Sequence, residues 1–322
     1  MIRSARLAHA AALSAAAVGL ALFASAVPAA AVAPPLSDPR VLVHLDITKG
    51  QMPENITLEP DGSADVTLTG GRQIARIGLD GHTQILATLP ERPAGATTPA
   101  VGTPLLGGIV RDHDGTLYVS YATGTADLTG IWRLVPGGTP ERIAALPADG
   151  LPNGLALDPH TGTLYSADSA LGTIWRVPVH GGTPAEWAKG TDLNPAGFIG
   201  ANGIKVHHGA VWVSNYDRGT VVRIPLRGHG SAGPIQTKAA GLGTGLDDFT
   251  FTGHRDDFLI ARNPANEVSF VTSGGKHKVV LTEADGLSNP TSVAVRKGTA
   301  YVPSAAYTTQ KDPNLLLAKI NK

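Results

Sequence analysis

The stretch "PNGLALDPHTGTLYSADSALGTIWRVPVHGGTPAEWA" (152–188) decides the fold, because the chain repeats it. An apolar run follows an Asn-Gly pair, a turn follows, then "LYSAD", another turn, and "TIWRVPV". The next stretch, "ANGIKVHHGAVWVSNYDRGTVVRIPL" (201–226), has the same order, with "VWVSN" and "TVVRIPL" in the matching places. Apolar and polar residues alternate over four to seven positions, as in half-buried strands. Outward from these two copies the pattern recurs at 106–147, 53–90, 246–286 and 289–322. The period is roughly 45 residues, the scale of propeller blades and other repeat arrays. Each copy holds three clear strands, and most add a fourth, such as "PERIAALP" or "KHKVVLTE". The last copy stops after its third strand.

Its missing strand is at the other end of the chain. "PRVLVHLDITKG" (39–50) has the pattern of "HKVVLTEADG" (277–286). The sequence therefore predicts an all-β chain, a six-bladed β-propeller whose last blade is closed by an N-terminal strand. Closure in a ring leaves only short, protected strand edges. The Arg residues of the third strands (Arg133, Arg176, Arg223) alternate with apolar neighbours and read as solvated sheet-face charges. Asp61, Asp114 and Asp158 read as turn residues. The glycines at 241–245 read as loop, since no strand–helix context for a phosphate loop surrounds them.

Composition narrows the function. The 322 residues include 26 basic and 26 acidic side chains and no Cys. Residues 1–6 carry Arg3 and Arg6, residues 7–27 are almost wholly apolar, and "PAAAVAP" follows. That order is a secretory signal peptide, residues 1–33, with cleavage after Ala31 or Ala33. An uncleaved membrane anchor is the rival reading, because the apolar run has about the length a bilayer needs. The remainder, residues 34–322, reads as a single propeller domain that is secreted by the Sec route. Without disulfides it depends on its core alone, which about 290 residues can supply. Removing the two Arg leaves 24 basic against 26 acidic residues, a net of −2. That balance gives no footprint for nucleic acid or an anionic membrane. The expected partner is a small-molecule substrate, with no nucleic acid, no stable membrane association after cleavage, and a monomeric state.

In a propeller the residues just before each innermost strand meet at one mouth of the central channel. Here those positions are Glu54, Leu106-Gly107, Asn153, Asn202, Asp247-Asp248 and Asn289. Four of the six entries offer Glu, Asn, Asn and Asp, all hard oxygen donors. Ca²⁺ takes 6–8 such ligands from carboxylates, amide carbonyls and water. Two carboxylates neutralise a divalent ion, and two amides add ligands without further charge. Calcium is the first choice; ligand type alone leaves Mg²⁺, Mn²⁺ and Zn²⁺ open, although no Cys or convergent His set favours zinc. His207-His208 looks like a metal pair but reads as a surface turn.

These motifs carry a resemblance. "PENITLEPDG", "LPNGLALDP", "ANGIKV…VWVSN…GTVVRI" and "LDDFTF" are similar to the SMP-30/gluconolactonase/LRE family, propellers related in architecture to paraoxonase-like lactonases. The resemblance spans about residues 40–322 and implies a channel metal, usually calcium. Matched motif by motif, its ligands fall on Glu54, Asn153, Asn202 and Asp247. Asp248 and Asn289 are further candidate ligands. The implied activity is lactone or ester hydrolysis, with Asp247 as the catalytic carboxylate that takes a proton from the attacking water. A non-catalytic binding propeller, and a lyase or synthase acting on a secondary metabolite, remain the alternatives. The second blade, "PLLGGIV", supplies no acid, base or His at the mouth, so relatives with a central His dyad are not matched. If residues 1–33 are a signal peptide, N-terminal sequencing of the exported protein will begin at Val32 or Pro34. An intact Met1 in a membrane fraction would favour the anchor.

Overall fold

The computed structural model describes Met1 and residues 35–321; the expected signal segment lies outside the described residues. Six four-stranded antiparallel sheets form a six-bladed β-propeller. Five blades are consecutive in sequence. The sixth is made of strands Ala294–Arg296, Thr299–Ser304 and Asn314–Ile320, with the N-terminal strand Leu36–His44 as its outermost member. Leu36 pairs with Ile320 and His44 with Asn314, so the first and last strands close the ring. The closing strand ends sooner than the sequence suggests. Ile47–Lys49 is a short 3-10 turn ended by Gly50 in the left-handed region. The stretch used as its template does the same, with Glu283–Asp285 ended by Gly286. The likeness of 39–50 and 277–286 is therefore one of strand plus turn. Among the described residues no helix is long and apolar enough to cross a membrane.

The core lies between blades rather than at a common centre. One cluster joins Tyr165, Ile174 and Trp187 of blade 3 to Ile204, Val211 and Val222 of blade 4. The Tyr165 and Trp187 rings meet edge-on at 4.9 Å, an arrangement that suits the ring quadrupoles. Of the three sheet-face arginines, Arg133 pairs with Glu141 at 2.7 Å and Arg223 donates to His208 O at 3.4 Å within their own blades, while Arg176 reaches Gly230 O of blade 4 at 3.4 Å.

The innermost strands share one irregularity. In blade 3, Pro152 pairs with Asp168 and Leu155 with Ser166, so Asn153 and Gly154 face a single residue. The same extra residue is present in blade 4 at Asn202-Gly203, in blade 5 at Asp247-Asp248, in blade 2 at Gly107-Gly108, and in blade 1 at Glu54. Each is a β-bulge, which bends a strand and re-aims a side chain. The bulges also bring neighbouring blades very close. A Cβ on Gly203 would lie 2.6 Å from the Asp248 Cα, and one on Gly107 would lie 2.8 Å from the Asn153 carbonyl oxygen. Glycine is needed here for close approach of backbone, since none of these residues has a positive φ.

Side chains close each inter-blade seam. Thr67 donates to the Gly107 carbonyl at 2.7 Å, Ser169 to Ala201 at 2.6 Å, Ser214 to Asp247 at 2.8 Å and Thr291 to Pro53 at 2.9 Å. Ser120 donates to the Asn153 carbonyl. The Asn263 amide completes the ring by donating to Pro290 at 3.3 Å. Gly203→Ala is expected to destabilise the chain by about 3 kcal/mol through overpacking, a fall in melting temperature of roughly 6–10 °C. Gly228→Ala, where the added methyl meets nothing, is the control and should move it by about 1 °C or less. Calorimetric melting of the two variants checks this.

Candidate metal centre

The bulges deliver four expected residues to one place. Glu54, Asn153, Asn202 and Asp247 all line a cavity of about 480 Å³ at the mouth of the channel. All four are buried, between 2% and 5% exposed. Among the described residues no Lys, Arg or His lines that cavity, so the two acids share it without a cationic side chain. Burial raises the Glu54 carboxyl to about 7, against a donated hydrogen bond from Tyr307. Burial pushes Asp247 well above the usual carboxylate range, and repulsion from Glu54 and Asp248 adds to it, while the Asn263 amide works the other way. Among the described residues neither the Asn153 nor the Asn202 side-chain amide has a hydrogen-bond partner, though both are buried. Both amides open onto the cavity beside the two acids, so oxygen donors from four blades converge there. A hard divalent cation would satisfy all four, so the residues present fit one.

The two further candidates are used otherwise. Asp248 is buried, but Lys205 pairs with it at 2.7 and 2.5 Å. Asn55 and Ser292 donate to it as well, at 2.9 and 3.1 Å. It does not line the mouth cavity. Asn289 spends its carbonyl oxygen on Thr308 N and Oγ1 and on Thr309 N, at 2.8, 3.0 and 2.9 Å. Its amide donates to Asn263 O at 3.1 Å, and its φ is +56°. It anchors the loop that carries Tyr307, and it is turned away from any ion. Adjacency in sequence cannot show which face of a bulge a side chain takes.

Tyr307 is the site residue that sequence reasoning missed. Its hydroxyl donates to Glu54 Oε2. Burial and the nearby Glu54 and Asp247 push its own ionisation well above the ordinary phenol value. It stays a donor that fixes one Glu54 oxygen and leaves the other free. It sits in "SAAYTTQKDPN" (304–314), a loop with no counterpart in the other repeats. Asn263 and Tyr216 also line the cavity and were not signalled.

His207 and His208 do come together with a partner the sequence did not suggest. Asp256 Oδ1 lies 3.2 Å from His207 Nε2 and 2.8 Å from His208 Nδ1. This group is at the far end of the inner strand from Asn202, at the surface, and plays no part in the mouth cavity.

The sequence matches no family model and no curated protein. Its fold is shared with solved structures. A Xanthomonas campestris protein described as a gluconolactonase superposes with a TM-score of 0.65 at 15% identity, over 91% of this chain and 93% of that one. Regucalcin from Agrobacterium tumefaciens, a calcium-binding protein, gives 0.64 at 18% identity, over 88% and 93%. Virginiamycin B lyase from Staphylococcus aureus gives 0.59 at 15%, over 88% and 99%. At these identities the likeness is one of architecture.

The raised acids set a pH dependence. A carboxyl whose folded value lies above its unfolded one binds more protons in the folded state, so stability is greatest in acid and is lost as pH rises. For Glu54 the window runs from its ordinary 4.5 to about 7. In EDTA the melting temperature should therefore fall between about pH 5 and pH 8. Excess Ca²⁺ should remove most of that fall by binding only the folded state. Parallel thermal melts check it, and superimposable curves with and without calcium would count against a cation here.

Proposed function

We propose that the chain is a metal-dependent hydrolase of lactones or esters, with calcium as the first-choice ion on Glu54, Asn153, Asn202 and Asp247. The observation that carries the reading is the convergence of four bulge residues, two of them buried acids without a cationic partner, in one cavity. The neighbouring fold of a gluconolactonase and of a calcium-binding protein supports it, as does the motif resemblance. A divalent cation bound there would supply charge stabilisation for the oxyanion that forms when the carbonyl is attacked.

The chain's own residues account for the rest. Tyr307 and burial hold Glu54 in one orientation, which makes it a ligand rather than a proton carrier. Asn153 and Asn202 present neutral oxygens and keep the total charge low. Asp247 lines the cavity beside the other donors, where one of its carboxylate oxygens would lie within reach of the attacking water. It takes a proton from water as the water oxygen bonds the carbonyl carbon. The acyl–oxygen bond then breaks, and the proton passes from Asp247 to the leaving alkoxide, giving a hydroxy acid from a lactone. We also infer export of the protein on the strength of residues 1–33.

Two variants test this. Asp247→Asn should lower kcat on a lactone substrate by about 100-fold or more. Glu54→Gln should weaken calcium binding, read by calorimetry, by about tenfold or more. Full activity in Asp247→Asn would remove it as the base. Calcium binding without turnover of any lactone or ester would mean a binding propeller, and an elimination product would mean a lyase.

A further inference from the structure

The mouth cavity is divided by character. The acids, Asn263, Tyr307 and Thr308 come from blades 1, 5 and 6. Facing them, blades 2 to 4 add Asn153 and Asn202 and, beside these, an apolar wall. Leu105, Leu151 and Ile199 form one packed cluster with Val101 and Tyr216, and all five line the cavity. This cluster sits apart from the inter-blade cores. In "PLLGGIV" blade 2 gives the mouth Leu105, and it has glycine at 107 where blades 1, 3, 4 and 5 carry donors.

Phe198 crowns the wall. It lines the cavity yet is 47% exposed, an unusual place for a large aromatic ring. It is also held rigidly. Asp217 Oδ2 accepts from Ala196 N and Phe198 N, each at 2.8 Å. The Asn215 amide pins the preceding loop through Asp192 O and Asn194 O at 3.0 and 3.1 Å. The Phe198 ring meets Tyr216 edge-on at 5.8 Å. A pinned, half-exposed aromatic costs little entropy on binding and offers a ready surface for an apolar group.

Three hydroxyls of the polar half are engaged within the protein. Tyr307 already donates to Glu54, and Thr308 Oγ1 to Asn289 at 3.0 Å. Thr69 Oγ1 accepts from Leu106 N at 3.1 Å. Of the lining hydroxyls, those of Tyr216 and Thr103 alone have no hydrogen-bond partner among the described residues, and no Lys, Arg or His lines the cavity there to receive a phosphate or carboxylate.

Resting on the hydrolase reading, we infer that the substrate is a neutral lactone or ester with an apolar arm, and that Phe198 is the residue that selects for it. The ester group lies toward the acids, and the arm lies along Leu105, Ile199, Tyr216 and Phe198. Three substrates test the selection: γ-decanolactone, γ-butyrolactone and glucono-δ-lactone. In the calcium-loaded wild type, kcat/KM should rank them in that order. The decanolactone-to-butyrolactone ratio should fall about tenfold in Phe198→Ala and be kept in Phe198→Leu. A preference for glucono-δ-lactone, or a ratio unmoved by Phe198→Ala, would overturn the inference. Binding of the unreactive 2-hexylcyclopentanone, measured by calorimetry, separates the two readings. If it binds and Phe198→Ala weakens it about tenfold while no lactone is turned over, the arm site stands and the hydrolase reading falls. If lactones are hydrolysed but the ketone does not bind, the arm site falls alone. Neither binding nor turnover overturns both.

Discussion

The structure depends on how closely six inner strands can crowd around one axis. At the seams around Gly107, Gly154 and Gly203 the backbone of one blade presses on the backbone of the next, with room for glycine and for little else. Gly154 and Gly203 owe their place to that pressure, and the Asn before each owes its direction to the bulge the pair creates. Asn-Gly, usually a signal for chain reversal, here reverses nothing. It combines a donor side chain with the one residue that lets the next blade in. Six seam hydrogen bonds from Thr67, Ser120, Ser169, Ser214, Asn263 and Thr291 then hold the ring at that spacing. Because those bonds end on the carbonyls of the bulged segments, the ring and the site are stabilised by the same contacts.

The bulge of blade 5 shows how finely this sorts charge. Asp247 and Asp248 are neighbours, both buried, with opposite fates. Asp247 faces the mouth among other oxygens and is left unneutralised. Asp248 meets Lys205, Asn55 and Ser292, and its charge is balanced within the protein. Lys205 lines a second cavity of about 360 Å³ at the opposite end of the inner strands. The Lys205–Asp248 pair therefore sits between the two ends of the channel. Asp248 thus has its own counter-charge and lies outside the mouth lining, which leaves two acids there, the number that a divalent ion balances.

Much of this was legible in the sequence. The repeat gave six blades, and the truncated last copy gave the closing strand, because a ring must balance its strand count. Glu54, Asn153, Asn202 and Asp247 were readable because they recur at one place in the repeat. What did not recur could not be read. Tyr307 and Phe198 come from loops whose length and sequence change from blade to blade. Asp256 reaches His207 and His208 from the next blade, which the spacing of the histidines does not reveal. Asp248 and Asn289 were offered as ligands on position alone, and position does not say which way a side chain turns at a bulge or at a positive φ.

The least conforming blade gives the mouth its polarity. Had blade 2 carried an acid or a His at 107, the cavity would be polar on every side. Its Gly107-Gly108 instead lets blade 3 close in, and Leu105 joins Leu151 and Ile199 in a wall without donors. With glycine at 107, blade 2 adds no donor beside the apolar cluster that stands opposite the acids. An ester needs that pairing, since its carbonyl must meet charge while its carbon arm must leave water. Departure from the repeat at a single blade thus turns a symmetric ring of oxygens into a directional site.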